Sequence, residues 1–354
     1  MKPKLKKALS FLFIVASITA VFFIAFSNQE FSDALDAFSQ MNLWWVFGIF
    51  MCWVFYTVFD ALNQWFYLRR IGFKFSVGRS INVSLIGFYY SNITPSAAGG
   101  QPMQVNSMRK AGIPVGYGTM AVTIRFITNQ FVIAGLTLVM FLFNRQFVYD
   151  QLQGAIWFAR FGWLLNFGAV PLVIFAAFKR DWIQGVFNWL IRLLARTPLI
   201  KDPDAMIEKT SNVLDTYHQA LLDLIHRPGL ILLQLGCSFF SILGLLASIV
   251  FVYHAFGLAG TPWYHILALS GLLYVSASVT PLPGASGAQE GGFLLYYKNI
   301  FPEDKIGLAL LVWRFFTYYM YLIVGVGTVI LEKIILGREA RKNPAEDQEE
   351  KSPA

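Results

Sequence analysis

Two hydrophobic stretches of this 354-residue chain are interrupted by runs of Pro and Gly, and the two interruptions resemble each other. The first reads TPSAAGGQ at positions 94–101, and the second reads TPLPGASGAQ at positions 280–289. Arg125 lies 24 positions beyond the first run and Arg314 lies 25 positions beyond the second, each inside a further apolar segment. A straight helix does not accommodate such a run, because Pro lacks the backbone donor and clashes with the preceding turn. The sequence therefore predicts two broken helices in two matching halves.

The composition indicates a membrane protein. Hydrophobic residues make up 56% of the chain and charged residues only 14%, against about 25% charged in a soluble domain. A membrane-spanning helix needs about 20 mostly apolar residues. On that criterion we predict an all-α polytopic membrane protein with about six full transmembrane helices: Ala8–Phe26, Leu43–Tyr67, Thr119–Phe143, Phe161–Phe178, Leu230–Phe256 and Ile306–Leu331.

Two shorter apolar runs, Ile81–Ile93 and Tyr264–Val279, end at the Pro/Gly interruptions. We interpret each as the first leg of a re-entrant hairpin that enters the bilayer, breaks and returns to the same side. Lys and Arg cluster in alternate loops, which the positive-inside rule places in the cytoplasm. The resulting topology puts three crossings between the hairpins and therefore predicts an inverted repeat.

The same topology predicts the domain organisation and the location. An integral membrane domain is expected at 1–336, with repeat halves at about 43–178 and 230–335. Between the halves, positions 181–226 show apolar stripes at helical spacing, which predict two cytoplasmic amphipathic helices that lie on the membrane or cap the bundle. The polar tail 337–354 is expected to be disordered. We expect a bacterial cytoplasmic membrane, with both termini in the cytoplasm.

The two arginines are candidate substrate-binding residues. A charge inside a membrane span is costly and usually faces the interior of the bundle. Thr128 and Thr317 each lie one turn beyond the arginine of their own half, so each helix presents a small polar face. A guanidinium suits phosphate, because it stays charged and offers a rigid fork of donors. The alternative is that both arginines reach the membrane surface or form structural pairs.

The broken segments are candidate binding elements in their own right. Glycine lets backbone approach a ligand closely, and a helix end at a break exposes N–H groups that favour an anion. Gln101 and Gln289 occupy equivalent repeat positions and either contact a ligand or cap the broken ends. The backbone positions predicted to form the two loops are Thr94, Pro95, Gly99, Gly100, Thr280, Pro281, Gly284, Gly287 and Gly291.

Two acidic residues fall within apolar sequence. Glu290 follows Gln289, whereas Pro102 follows Gln101, so the acid has no counterpart in the first half. Asp60 shares a helical face with other polar residues in the second predicted span. A structural ion pair is the default interpretation of either, and binding an ammonium group or carrying a proton is the functional alternative.

We find no signature of catalysis, of a cofactor or of a metal. The four histidines are scattered without ligand spacing, and no P-loop, dinucleotide-binding fingerprint or Gly-x-Ser-x-Gly elbow occurs. Cys52 and Cys237 lie in separate apolar segments and are interpreted as small hydrophobic residues without a redox role.

The broken segments and the Arg-Phe helices that follow them resemble the flippase-like transmembrane domain of the lysylphosphatidylglycerol synthases, which also occurs in stand-alone bacterial and archaeal proteins. The resemblance covers about Leu9 to Ile335, and the second motif is the more specific. In full-length synthases a soluble domain follows that uses lysyl-tRNA, and we expect it to be absent here. The resemblance therefore implies a lipid-handling bundle rather than the synthase reaction.

On this basis we predict that the protein translocates an anionic or aminoacylated phospholipid, with Arg125 and Arg314 holding phosphate near either membrane face. The partners expected are a membrane phospholipid and a separate lipid-modifying enzyme, and no nucleic acid. Three alternatives remain open. They are a phosphatidylglycerol lysyltransferase or its membrane half, which would require lysyl-tRNA, a carrier of small solutes or ions, and a scaffold for an envelope enzyme.

Overall fold

The computed structural model describes residues 38–195 and 202–342, together with Thr19, and in this part of the chain the regular structure is entirely helical. The helices are α1 (Leu43–Arg70), α2 (Val77–Ile93), α3 (Gly100–Lys110), α4 (Val115–Phe143), α5 (Arg145–Leu152), α6 (Ile156–Phe178), α7 (Arg180–Leu194), α8 (Pro203–Ile225), α9 (Pro228–Ala255), α10 (Trp263–Ala277), α11 (Ala288–Tyr297), α12 (Glu303–Arg314) and α13 (Met320–Lys342).

Four of these segments are long and apolar enough to cross a membrane: Leu43–Arg70, Val115–Phe143, Pro228–Ala255 and Glu303–Ile334. The predicted all-α polytopic membrane fold is thereby confirmed. The predicted span Phe161–Phe178 is part of α6, which begins five residues earlier, and the predicted span Ala8–Phe26 lies outside the described residues.

The predicted span Ile306–Leu331 is divided. Helix α12 ends at Arg314, five residues form a π-helical turn (Phe315–Tyr319), and α13 continues from Met320. Such π turns are rare and are frequent at functional sites. The apolar pattern of the sequence carries no trace of this turn, because it continues unbroken across it.

Each of the two Pro/Gly interruptions joins a pair of short antiparallel helices. Hairpin 1 consists of α2 and α3, and hairpin 2 consists of α10 and α11. The open end of hairpin 1, with Phe75 and Ile113, packs into an apolar cluster with Leu68 of α1. The open end of hairpin 2, with Ile266 and other residues, packs into a second cluster that contains Ile49 of α1.

Ile49 and Leu68 place these two clusters at opposite ends of α1. The 19 residues between them span about 28 Å at 1.5 Å per residue, close to the ~30 Å of a hydrocarbon core. We call the two extremities of the bundle end 1 and end 2, after the hairpin that opens there. The hairpins therefore enter from opposite ends, as the inverted repeat predicts.

Helices α7 and α8 lie where the sequence predicts two amphipathic helices, but their apolar faces differ in exposure. Helix α8 buries Ala220, Leu221 and Leu224 in the cluster at end 1, so it caps the bundle. On α7, Trp182 and Trp189 of the predicted apolar stripe are more than half exposed.

The carboxyl-terminal prediction needs one correction. Residues 337–342 belong to helix α13 rather than to a disordered tail. They read GREARK, which contains good helix formers, and Pro344 lies beyond them. The predicted tail residues 343–354 lie outside the described residues.

Candidate functional site

The tips of the two hairpins adopt the same unusual backbone. Ser96 and Ala97 have φ angles of 51° and 54°, and Gly284 and Ala285 have φ angles of 60° and 50°. Positive φ is strained for residues other than Gly, and such strain clusters at functional sites. The structural match pairs Pro95 with Pro283, not with Pro281 as the shared Thr-Pro letters suggest.

The hairpin tips meet in the middle of the bundle. The backbone N–H of Ser96 donates a hydrogen bond to the carbonyl oxygen of Pro281 at 3.0 Å. The hydroxyl of Tyr318, in the π turn, donates to the carbonyl of Asn92 at 3.4 Å. Both contacts join the first half of the chain to the second, so each tip supports the other.

A chamber of about 330 Å³, lined by both polar and apolar side chains, lies at the two tips. This volume falls within the range of small-molecule sites, about 300–1,000 Å³. Both arginines line the chamber, and so do serine, amide and tyrosine side chains from both halves of the chain. Members of the polar lining are Tyr56, Ser91, Asn92, Gln104, Asn129, Gln130, Ser270, Tyr274, Gln289, Thr317 and Tyr321.

Arg125 is held by residues of the first half. Its Nη1 lies 2.6 Å from Oδ1 of Asp60, whose side chain is completely buried. The other carboxylate oxygen of Asp60 accepts hydrogen bonds from Ser84 at 2.7 Å and from Gln64 at 3.5 Å. Nη2 of Arg125 donates to Oε1 of Gln104 at 3.1 Å. Nε of Arg125 has no hydrogen-bond partner among the described residues.

Arg314 is held by residues of hairpin 2. Its Nε lies 2.7 Å from Oε1 of Glu290, and both side chains are almost fully buried. Its Nη2 donates to the carbonyl of Gly284 and to the hydroxyl of Ser286, each at 3.3 Å. The guanidinium also lies 4.6 Å from the ring centroid of Tyr318. Glu290 accepts from the N–H of Gly287 at 2.6 Å and so caps the first turn of α11.

The depth of the arginines differs from the sequence prediction. Arg125 lies ten residues into α4, which begins at end 1, and Arg314 lies eleven residues into α12, which begins at end 2. At 1.5 Å per residue each is about 15–17 Å from the start of its own helix. Both line the same chamber, whereas the sequence predicts them near opposite faces.

The other predicted residues divide into three groups. Thr317, Gln289, Thr280 and Gly284 line the chamber. Asp60 and Glu290 stand behind the wall as counter-ions of the arginines, which corresponds to the structural ion pair. The predicted residues absent from the lining are Thr128, Gln101, Thr94, Pro95, Gly99, Gly100, Pro281, Gly287 and Gly291.

Thr128 and Gln101 are the two side chains that sequence reasoning misplaced. Thr128 faces the neighbouring helices, where its hydroxyl accepts from Ser238 at 2.8 Å and from Asn63 at 3.3 Å. Gln101 is exposed, and Gln104, one turn further along α3, contacts Arg125 instead. The amphipathic spacing within α3 was the available signal, because Gln104 belongs to its buried face.

Two of the misplaced loop residues serve the packing of hairpin 1. A Cβ added at Gly100 would lie 2.0 Å from Oγ of Ser91 and 2.7 Å from the carbonyl oxygen of Gly87. Gly100 therefore lets the two legs of the hairpin approach each other. The hydroxyl of Thr94 accepts from the N–H of Gly99 at 2.9 Å and donates to the carbonyl of Tyr90 at 2.6 Å, so it holds the break together.

The chamber is open at the hairpin tips. Ser96, Ala97, Ser278 and Leu282 line it and are nevertheless exposed. Irregular backbone at membrane depth is tolerated where it lines a cavity, because unsatisfied polar groups are costly in hydrocarbon. Within residues 38–195 and 202–342, no group of three or more His, Cys, Asp or Glu side chains is placed to hold a metal.

These features define a class of protein: a polytopic membrane protein in which two oppositely inserted, broken hairpins meet at a central chamber that contains two arginines. Residues 8–325 match the family described as the lysylphosphatidylglycerol synthase TM region, and the chain belongs to that family. The chain is also 24% identical over 322 residues to a UPF0104 membrane protein of Archaeoglobus fulgidus, covering 88% of this chain and 93% of that protein.

Proposed function

We propose that the protein translocates the head group of an anionic or aminoacylated phospholipid between the membrane leaflets through the central chamber. The convergence of both broken hairpins and both arginines on this chamber is the observation that carries the proposal. Secondary transporters bind their substrates near the midplane at the interface of inverted repeats, between broken helices. Each hairpin would control access from its own end.

The exposed hairpin tips favour a lipid over a small solute. Translocation of a lipid requires the head group to cross the bilayer while the acyl chains stay in hydrocarbon, so the chamber must open sideways. Ser96 and Ser278 combine the required properties, since they line the chamber and are exposed. A carrier of small solutes would need a vestibule closed to lipid.

The arginines provide the proposed contact for lipid phosphate. Each arginine is paired with a carboxylate, so the four charges of the two ion pairs cancel and the chamber does not hold a net charge inside the bilayer. The side chain of Arg125 is 12% exposed, so its guanidinium presents accessible surface to a phosphate oxygen. Binding of the phosphate then adds a charge-assisted hydrogen bond, and the free protein does not contain a buried cation without a counter-ion.

The test is lipid movement in vesicles. Purified protein is reconstituted with fluorescent phosphatidylglycerol, and the rate at which inner-leaflet lipid becomes accessible to an impermeant quencher is measured. The double variant Asp60→Asn/Arg125→Gln removes both charges of one pair together, so it avoids leaving a lone buried ion. We expect a rate at least tenfold below that of the wild type.

The matched control is Lys110→Gln/Glu332→Gln, which removes an ion pair of 3.3 Å outside the chamber. It should retain the wild-type rate. If the wild type moves no lipid faster than empty vesicles, or if both double variants behave alike, the proposal is wrong.

A second candidate, synthesis of lysylphosphatidylglycerol alone or as the membrane half of a two-chain enzyme, is favoured by the family's description. We propose that the relevant membrane is the bacterial cytoplasmic membrane, with both termini in the cytoplasm, and that a separate lipid-modifying enzyme supplies the cargo. Lipid extraction from a host without aminoacylated lipids separates the candidates, because a transporter adds no new lipid species.

A further inference from the structure

Helix α7 turns an apolar face away from the bundle. The opposite side of the helix faces the protein, since Gln184 and Asn188 are half-buried and Ile191 is only 4% exposed. An amphipathic helix of a soluble protein has the reverse orientation, with its apolar stripe toward the core. We call the outward surface the α7 face. Its side chains recur at helical spacing, and each is at least 41% exposed: Trp182, Val186, Trp189 and Leu193.

The α7 face lies at end 1 of the bundle. Helix α6 begins with Ile156, which belongs to the apolar cluster at end 2. Its 23 residues span about 34 Å at 1.5 Å per residue, enough to cross a ~30 Å hydrocarbon core. Only Lys179 separates α6 from α7, so α7 begins where the crossing is complete. Helix α7 also packs beside α8, which caps the bundle at end 1.

The exposed apolar surface of α6 continues into the α7 face. Helix α6 exposes Leu164, Phe167 and Phe175, as a spanning helix does toward lipid. Phe175 lies in the last turn of α6, and its ring centroid is 6.0 Å from that of Trp182, with the two rings inclined at 67°. Lipid that covers Phe175 therefore also reaches the α7 face. Tryptophan suits this position, because it is enriched at the boundary between membrane and water.

Two exposed cations flank the α7 face. Lys179 immediately precedes the helix, and Arg192 lies in its last turn. Long basic side chains at the edge of an apolar helical surface can bury their stems and place the charge among lipid head groups. An interfacial helix of this kind gains affinity both from buried apolar area and from attraction to anionic lipid.

We propose that the α7 face is an interfacial binding site for anionic phospholipid, distinct from the chamber. Trp182 and Trp189 insert at the boundary between the head groups and the acyl chains of the leaflet at end 1. Lys179 and Arg192 pair with the negatively charged head groups around them. The site recognises the charge of the leaflet and does not require the lipid to enter the chamber.

The first test locates the α7 face in a bilayer. The full chain without Cys52 and Cys237 receives a single cysteine at Val186→Cys, which is labelled with the fluorophore NBD, and is placed in nanodiscs of phosphatidylcholine and phosphatidylglycerol. We expect strong quenching by lipids that carry a nitroxide near the top of the acyl chain, and weak quenching by aqueous iodide. Asp204→Cys, at an exposed position in the first turn of α8, should give the reverse result.

Two results of this test refute the site. Iodide quenching at position 186 that equals the quenching at position 204 would place the α7 face in water. Weak quenching at position 186 by both agents would show that protein covers the face.

The second test measures the preference for anionic lipid. NBD at position 186 is quenched by nitroxide-labelled phosphatidylglycerol or by nitroxide-labelled phosphatidylcholine at equal mole fraction, and the ratio of the two reports which lipid is enriched nearby. We expect about two- to tenfold enrichment of phosphatidylglycerol, from the attraction of basic residues to an anionic surface. Lys179→Gln/Arg192→Gln should remove most of it. The matched control Arg145→Gln/Arg160→Gln removes two exposed cations at end 2 and should leave it unchanged.

A third variant tests the aromatic anchors. Trp182→Ser/Trp189→Ser should make the label at position 186 accessible to iodide, while thermal unfolding in detergent changes little, because both rings are more than half exposed.

The site is refuted if the two lipids quench equally, if Lys179→Gln/Arg192→Gln keeps the enrichment, or if Trp182→Ser/Trp189→Ser keeps the label in lipid. None of these measurements uses lipid movement. The outcome is therefore independent of whether the chamber transports lipid.

Discussion

The two arginines of the chamber have counter-ions of different origin. Asp60, which pairs with Arg125, belongs to the long helix α1, and Arg125 itself lies on the long helix α4. Glu290, which pairs with Arg314, belongs to the return leg of hairpin 2. The first pair therefore joins two spanning helices, whereas the second pair ties a hairpin to a spanning helix. Hairpin 1 contacts its pair through hydrogen bonds from Ser84 and to Gln104, whereas hairpin 2 supplies the counter-ion itself.

The two sites also differ in how much of the cation remains available. The side chain of Arg125 is 12% exposed, and that of Arg314 is 4% exposed. Arg314 is surrounded by Glu290, Gly284, Ser286 and the ring of Tyr318, whereas Arg125 has Asp60 and Gln104. The comparison indicates that repeat symmetry preserves the position of the cation but not its environment. Arg125 is the better candidate for contact with a ligand.

The largest expected effect comes from removing one partner of the fixed pair. Arg125→Ala leaves the completely buried carboxylate of Asp60 without its cation and should lower the free energy of unfolding by about 3–5 kcal/mol. Asp60→Asn/Arg125→Gln should recover most of that loss, because no unpaired ion remains. Thermal unfolding in detergent measures both. Equal destabilisation of the single and double variants would contradict the assignment of the ion pair.

Substitutions at the equivalent positions of the two hairpin tips should have opposite effects on stability. Gly284→Ala places a Cβ 2.1 Å from Cε2 of Tyr318 at a φ angle of 60°, so we expect a loss of about 1–3 kcal/mol. Ser96→Gly relieves positive φ at the equivalent position and should stabilise by up to about 1 kcal/mol. Melting temperatures of the two variants, measured side by side, test the structural match. Shifts of the same sign would reject it.

Substitutions of the two threonines that follow the arginines should also differ in their effect on stability. Thr128→Val breaks hydrogen bonds with Asn63 and Ser238 in a buried cluster and should cost about 1–2 kcal/mol of stability. Thr317→Val alters the chamber wall and should cost less than 1 kcal/mol, because its hydroxyl bonds only to the carbonyl of Trp313 among the contacts described. Unfolding and lipid movement are measured for both. Equal stability losses would show that the threonines are equivalent after all.

The smallest effect is expected at Gln101. Its side chain is exposed and outside the chamber, so Gln101→Ala should change stability by less than about 0.5 kcal/mol and leave lipid movement unchanged. Gln289→Ala, at the equivalent repeat position, removes a chamber-lining amide and should slow lipid movement. A strong effect of Gln101→Ala would contradict the structure, because it would show that Gln101 and Gln289 have the same role.

Sequence reasoning located the parts of the fold that depend on chain-wide patterns. Apolar length and charge placement were enough to predict spanning helices, and the Pro/Gly runs were enough to predict the hairpins. The convergence of Arg125 and Arg314 followed from repeat symmetry in outline. Their depth did not, because it depends on where α4 and α12 begin, and helix ends are less sharply encoded than helix interiors.

Side-chain direction within a helix was the weakest part of the prediction. Thr128 was assigned to the site because it lies one turn from Arg125, but it turns toward α1 and α9 instead. Gln104 lies outside the repeated motif that contains Gln101, so the repeat does not point to it.

The hydrogen bond between the Ser96 N–H and the Pro281 carbonyl has a consequence for biogenesis. Its two groups are 185 residues apart, so the tip of hairpin 1 is synthesised long before the backbone that satisfies it. During that interval the broken tip must be sheltered by water, by lipid head groups or by the insertion machinery. The amino-terminal half expressed alone would keep this orphan donor, and it should be degraded unless the carboxyl-terminal half is supplied as a second chain.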